Sequence, residues 1–200
     1  RILLAALLLA STTAVTAQNE CYGPNTAVNG DFQTYTGTIT GSNTWINNNL
    51  ANWNVSHGTP SPSGNLAIWM WSYSGYGEGV YMGHSFVAGQ TYRVSYDLGQ
   101  SADGNPTSTF LVDLTNGLTP NGSTTVPTPA SQFSVTNMGW TNPGATVTVT
   151  EVFTVPTGQN FSQLWFRPYL AGQPNPNQAA VTIDNIGIEE LIACPCDVNA

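Results

Sequence analysis

The chain has 200 residues and a formal net charge of −8, with no lysine and arginine only at positions 1, 93 and 167. That balance argues against a nucleic-acid or anionic-membrane partner, since both call for a basic patch. Charged residues make up only 7% of the chain, but β-branched and aromatic residues are plentiful, so the composition points to an all-β secreted protein rather than disorder.

The first seventeen residues read as a secretory signal peptide: Arg1, a short apolar run, and a small-residue exit at Ala17. No later stretch resembles a membrane span. Residues 18–192 then suit one large domain. Residues 193–200, with two of the three cysteines, read as the start of a linker or further domain. Export permits disulfides, and Cys21 is expected to pair with Cys194 or Cys196, tying the two ends together. A zinc site at Cys194-Pro-Cys196 is disfavoured by its spacing.

Taken in order, residues 25–32 (NTAVNGDF) read as a short strand entering a turn at Asn29-Gly30. Residues 33–52 are a long polar connection, and Trp53 to Val55 a brief strand. His57 follows in a Gly/Pro loop, where an exposed side chain is expected. Residues 65–80 (NLAIWMWSYSGYGEGV) alternate: Leu66, Ile68 and Met70 share one parity, and Trp69, Trp71 and Tyr73 the other. Opposite parities face opposite sides of a sheet, so a row of rings faces away from the core parity.

Residues 79–87, 91–100 and 108–116 continue as strands. In the second, Tyr92, Val94, Tyr96 and Leu98 oppose Arg93, Ser95 and Asp97. A long surface loop is expected over 117–130, and a β-branched strand over 146–155. Residues 163–170 repeat the aromatic pattern, with Leu164 and Phe166 at core parity and Trp165, Arg167 and Tyr169 opposite. In 179–192 the apolar parity slips by one residue at Asp184-Asn185, the signature of a β-bulge. No helical periodicity or internal repeat follows the signal peptide. Many short strands in one domain point to a β-sandwich or jelly roll.

The segments NGDF at 29–32, NWNVSHGTPSP from Asn52, GEGVYMGHSFVAGQTYRVSYDL from Gly77 and TIDNIGIEE from Thr182 occur in that order. Together they resemble the jelly-roll carbohydrate-binding modules with a galactose-binding-like fold, found in secreted, often bacterial, multidomain proteins. The resemblance implies a structural calcium ion near the first and last strands. Its ligands would be Asp184 and groups at Gly30 and Phe32, with Gln33 standing where the family often has an acid, which lowers the expected affinity. The competing role for Asp184-Asn185 is to satisfy backbone donors at the bulge.

No triad or metal motif surrounds His57 or His84, the latter read as a packed or edge histidine. Glu78, Asp97, Asp113 and Glu151 could in principle supply the paired carboxylates of glycoside hydrolysis, but their spacing along strands brings no two of them together on sequence grounds, and acids on a solvated face are the commoner explanation. Non-catalytic binding fits the residues better. Sugar C–H faces lie on aromatic planes while hydroxyls need oriented polar partners. Trp69, Trp71, Tyr73, Trp165, Arg167, Tyr169, Arg93 and Asp97 supply both, and Trp45, Trp53 and Trp140 are assigned to packing. Three N-glycosylation patterns, at Asn54, Asn121 and Asn160, are expected by chance in so Asn- and Ser-rich a chain and matter only in a eukaryotic source. The expectation is a secreted, non-catalytic module that anchors downstream domains of the same chain to a polysaccharide or cell-surface glycan. The alternative is a structural or adhesive module with no small ligand. It would follow if the loops at 33–52 and 117–130 covered the aromatic row.

Overall fold

The computed structural model describes residues 20–40, 43–63, 66–73, 76–101, 108–139, 144–170 and 179–194. In chain order the elements are β1 (Cys21–Tyr22), α1 (Asn43–Asn49), β2 (Trp53–His57), β3 (Ser61–Pro62), β4 (Ile68–Tyr73), β5 (Tyr76–Gly77) and β6 (Gly79–Phe86). They continue with β7 (Thr91–Gln100), β8 (Thr109–Asn116), β9 (Ser131–Gly139), β10 (Thr146–Thr154), β11 (Phe161–Tyr169) and β12 (Ala179–Ile192). One sheet runs β10-β7-β12-β4-β3, with β1 added on β12 and β5 on β4; the other runs β2-β6-β11-β8-β9. From β6 to β8 and again from β9 to β12 the chain crosses between sheets at every step. The inner orders β4-β12-β7-β10 and β6-β11-β8-β9 are those of two interleaved Greek keys, so the fold is an all-β jelly roll.

Alternation drives this arrangement. Along β7 every second residue is buried, with Tyr92, Val94, Tyr96 and Leu98 pointing inward. They meet Ile68 and Met70 of β4, Val181 and Ile183 of β12, and Phe110, Val112, Leu114, Leu164 and Phe166 of the facing sheet. Tyr96 stands edge-on to Phe166, with centroids 5.6 Å apart. Each such side chain contributes about 1.5–3 kcal/mol on burial. The bulge lies where the parity slips. The β12–β7 register shifts between Asp184 and Gly187, Asn185 adopts a positive φ of 52°, and Ile183, Ile186 and Ile188 are all buried.

Three expectations need correction. The 33–52 connection contains α1, although NTWINNN has poor helix propensity and no helical period. Tertiary burial of Trp45 and Ile46 holds it, with Leu50 just beyond its end. Asn47 also accepts the N–H of Val55 at 2.7 Å. Residues 25–32 form no strand. They run beside β12 through single bonds, Thr26 N–H to Ile188 O and Ile186 N–H to Gly30 O, and a Cβ at position 30 would collide with that Ile186 carbonyl. The strand β9 falls where no strand is expected from sequence. Cys21 pairs with Cys194, one of the two expected pairings, across a sequence separation of 173. Cys196, Trp140 and the signal-peptide stretch lie outside the described residues. No described helix is long and apolar enough to cross a membrane.

Candidate ligand-binding faces

The eight residues read as one binding face divide between the two outer surfaces of the sandwich. On the seven-stranded sheet, register aligns four strands in a single row: Trp69 of β4 opposite Thr182 of β12, Thr182 opposite Gly99 of β7, and Gly99 opposite Thr146 of β10. The row beside it carries Asp184, Asp97 and Thr148. Two adjoining pockets of about 260 and 240 Å³ share Thr146 and Thr182. The first is bounded by Trp69, Gly99, Ser101 and Ala180, the second by Ser63, Ala67, Asp97 and Asp184. Together they form an open trench across the sheet.

Gly99 makes that trench. A Cβ there would collide with Thr182 Oγ1 and lie 3.3 Å from Thr146 Oγ1. Glycine inside a strand costs stability, and close approach of a ligand is one of the few reasons to keep it. Trp69 and Trp71 are both half-buried, with Trp69 standing on the trench wall and Trp71 opposite Ala180. The buried Glu78 holds their strand in place, accepting the N–H of Trp71 at 3.1 Å and the Thr59 hydroxyl at 2.9 Å.

The charges of this face are already engaged. Asp97 accepts from the Thr148 hydroxyl at 2.6 Å and from the Asn185 amide at 2.8 Å. Burial, with the neighbouring Asp97 and Asp31 charges, raises the Asp184 carboxyl above its usual value, against the N–H of Asn185 that favours its ionised form. Arg93, further along β7, is tied to Glu189 at 2.6 Å and lies over the Tyr22 ring. Tyr73 ends β4, and its side chain is outside the described residues.

On the five-stranded sheet the structure corrects the reading of Trp165 and Arg167 as offered groups. Trp165 is 1% and Arg167 7% exposed. The segment 117–130 lies over them like a strap, with Leu118 and Val126 packed against Trp165 and Tyr81. Its backbone is fastened by Gly58 N–H to Ser123 O, Asn121 N–H to Val55 O and Gly77 N–H to Thr124 O. Beneath it Arg167 pairs with Asp113 at 2.8 Å and stacks on Trp165, whose Nε1 donates to Ser56 Oγ. His57 is fully buried, not exposed, because it closes β2 against Trp165 instead of sitting in the loop beyond. Burial, then the Arg167 charge, lowers its pKa to about 3. Tyr169 is half-buried at the end of β11. His84 is half-buried and bonded to the Thr26 hydroxyl at 2.9 Å.

Among the residues expected to ligate calcium, the Gly30 carbonyl accepts from the Ile186 N–H, the Gln33 amide turns back to the Asp31 carbonyl, and the Asp184 carboxylate accepts the N–H of Asn185. Among the described residues no three His, Cys, Asp or Glu side chains converge on a common point.

Gly99, Thr182, Thr146 and Ser101 are the trench residues that sequence reasoning passed over. The one available signal was a glycine interrupting the regular alternation of β7.

No protein-family profile and no curated protein matches the chain. Among solved structures it is similar to a CBM4 protein, at 18% identity over 70% of this chain and 94% of that one, with a TM-score of 0.47. It is also similar to a mutant of the family 29 carbohydrate-binding module CBM29-2 complexed with mannohexaose, at 13% identity over 86% and 93%, TM-score 0.47. A third is the CBM22-1–GH10 portion of a Clostridium thermocellum xylanase complexed with xylohexaose, at 13% identity over 88% of this chain and 29% of that one, TM-score 0.44. The functional reading rests on the trench instead.

Proposed function

We propose that this domain binds carbohydrate without catalysis, in the trench across the outer face of the seven-stranded sheet. The observation that carries the reading is Trp69 beside a floor bared at Gly99 and flanked by the Thr146 and Thr182 hydroxyls. A sugar ring lies its C–H face on the indole and exchanges hydroxyl hydrogen bonds with the threonines and Asp97. The ligand is neutral. The chain has no lysine, Arg93 and Arg167 are each paired with an acid, and the trench is rimmed by Asp97 and Asp184. A disulfide between the first and last strands suits an exported protein, in which the module would anchor attached domains to a polysaccharide or surface glycan.

The test is a glycan-array screen of the chain, with calcium present, followed by titration of Trp69→Ala on any hit. Removing a stacking indole is expected to cost about 2 kcal/mol or more, at least a tenfold loss, with the circular dichroism unchanged. Equal affinity in a folded variant would move the site elsewhere. A blank across all glycans from folded protein would favour the structural module without small ligand.

A further inference from the structure

β10 is the last strand of the seven-stranded sheet. It pairs with β7 through nine unbroken residue pairs, and among the described residues no strand lies on its other side. β9 ends the facing sheet, and the Phe133 and Phe153 rings, 6.3 Å apart, place both edges on one side of the sandwich. Long open edges are usually blunted by charged side chains, lysine above all, by proline or by a bulge. β10 (TVTVTEVFT) has no lysine, proline or bulge, and its one charge is Glu151, on the inward parity. Its outward residues are four threonines and Val152, which is 52% exposed; Val147, Val149 and Phe153 lean on the core. Core packing accounts for those three residues alone.

We propose that β10 pairs antiparallel with β10 of a second copy of this chain, about a twofold axis at Thr150. The sequence is self-complementary in that register. All nine residues pair, Thr146 with Thr154, Thr148 with Val152 and Val147 with Phe153, and these threonine and aromatic–β-branched pairs are favourable across strands. A register shifted by one residue in the pairing would oppose outward to inward faces. An axis at Glu151 would set that carboxylate directly against itself, and an axis at Val149 leaves the Phe153 end unpaired. At Thr150 the only charge of the strand meets Val149 of the partner subunit. Charge and face together therefore select one register and one occupant.

The consequence is functional. A twofold axis through a continuous sheet stands perpendicular to it, so both trenches open on the same side. Two glycan sites then face one surface and gain from effective concentration. The pairing itself is independent of the carbohydrate reading; only this avidity rests on it.

Sedimentation of the chain over a rising concentration series tests the pairing. The mass is expected to climb from 21.2 kDa toward twice that value. Thr150 is exposed, so Thr150→Lys and Thr150→Glu leave the fold intact. Each alone sets like charges opposite and is expected to stay monomeric, whereas an equal mixture associates. Constant monomer mass in the unmodified chain overturns the proposal, as does undiminished association of Thr150→Lys. On a dense surface of whichever glycan the array identifies, the unmodified chain should bind roughly a hundredfold more tightly than Thr150→Lys. Equal surface binding by a confirmed dimer would remove the avidity and leave the pairing standing, and absence of any glycan would sink the carbohydrate reading alone.

Discussion

His57 ends β2 with its ring fully buried, its Nδ1 bonded to Ser56 Oγ and its plane set edge-on to Trp165. Desolvation and the nearby Arg167 hold it neutral, with a pKa near 3 against 6.5 for the free side chain. Below about pH 6.5 the unfolded chain therefore takes up a proton that the folded chain refuses. The stability tied to this residue is complete above that pH and drains away as the pH falls toward 3, at no more than about 1.4 kcal/mol per unit. Buried Glu78 and Asp113 act in the opposite sense. Burial raises both carboxyls, so their contribution is fullest in acid and is lost as pH rises through their folded values. A differential measurement isolates the histidine. Denaturant unfolding of the unmodified chain and His57→Gln, at about pH 7.5 and again at about pH 5, should show the variant losing some 2 kcal/mol less between the two conditions. A difference independent of pH would mean that His57 does protonate in the folded chain.

The strap at 117–130 decides which of the two outer faces is open. Its only large apolar anchors are Leu118, 5% exposed, and the half-buried Val126, and the Gln163 amide clamps Leu118 from both sides, accepting its N–H at 3.0 Å and donating to its carbonyl at 2.8 Å. Leu118→Ala should cost about 2–5 kcal/mol of stability, read from denaturant midpoints, and should raise quenching of Trp165. A Trp165→Phe background identifies that signal. Glycan affinity should stay the same, because the trench lies on the opposite sheet; a parallel loss of affinity would place the site under the strap. Much at this scale was legible in the sequence. Residue alternation marked β4, β7, β8 and β11, a β-branched run marked β10, and the slip at Asp184-Asn185 marked the bulge. Parity separates core from non-core, but it does not say on which of two sheets a residue lies. Trp69 and Trp165 share the pattern and face opposite ways. α1 and β9 escaped for a related reason. NTWINNN is helical through its burial, and SQFSVTNMG is a two-faced edge strand whose apolar side is half-covered.

At the scale of the molecule, the chain enters and leaves on neighbouring strands. Cys21 and Tyr22 pair with Ile192 and Leu191, and Gly23 donates to Glu190, so the ends meet with few bonds of their own. β1 is two residues long, and an isolated pair of that length has little stability. The Cys21–Cys194 bond supplies what the ladder lacks. It closes a loop of 173 residues, which in the chain-entropy picture denies the unfolded state about 5 kcal/mol of freedom. In a domain of this size that corresponds to roughly 10–20 °C in Tm. Reducing the chain, or replacing both cysteines by serine, should therefore lower Tm by that amount while the sandwich remains folded at room temperature, since neither Cys21 nor Cys194 belongs to the core cluster. The far-ultraviolet dichroism should be unchanged before the transition. The amides of β1 and of the 23–26 segment should exchange faster with solvent, and those of β7 and β11 should not. An unaltered Tm would show that β12 holds the N-terminal segment without the covalent link. Collapse of the whole sheet at room temperature would show instead that the jelly roll cannot close unless its two ends are tied first.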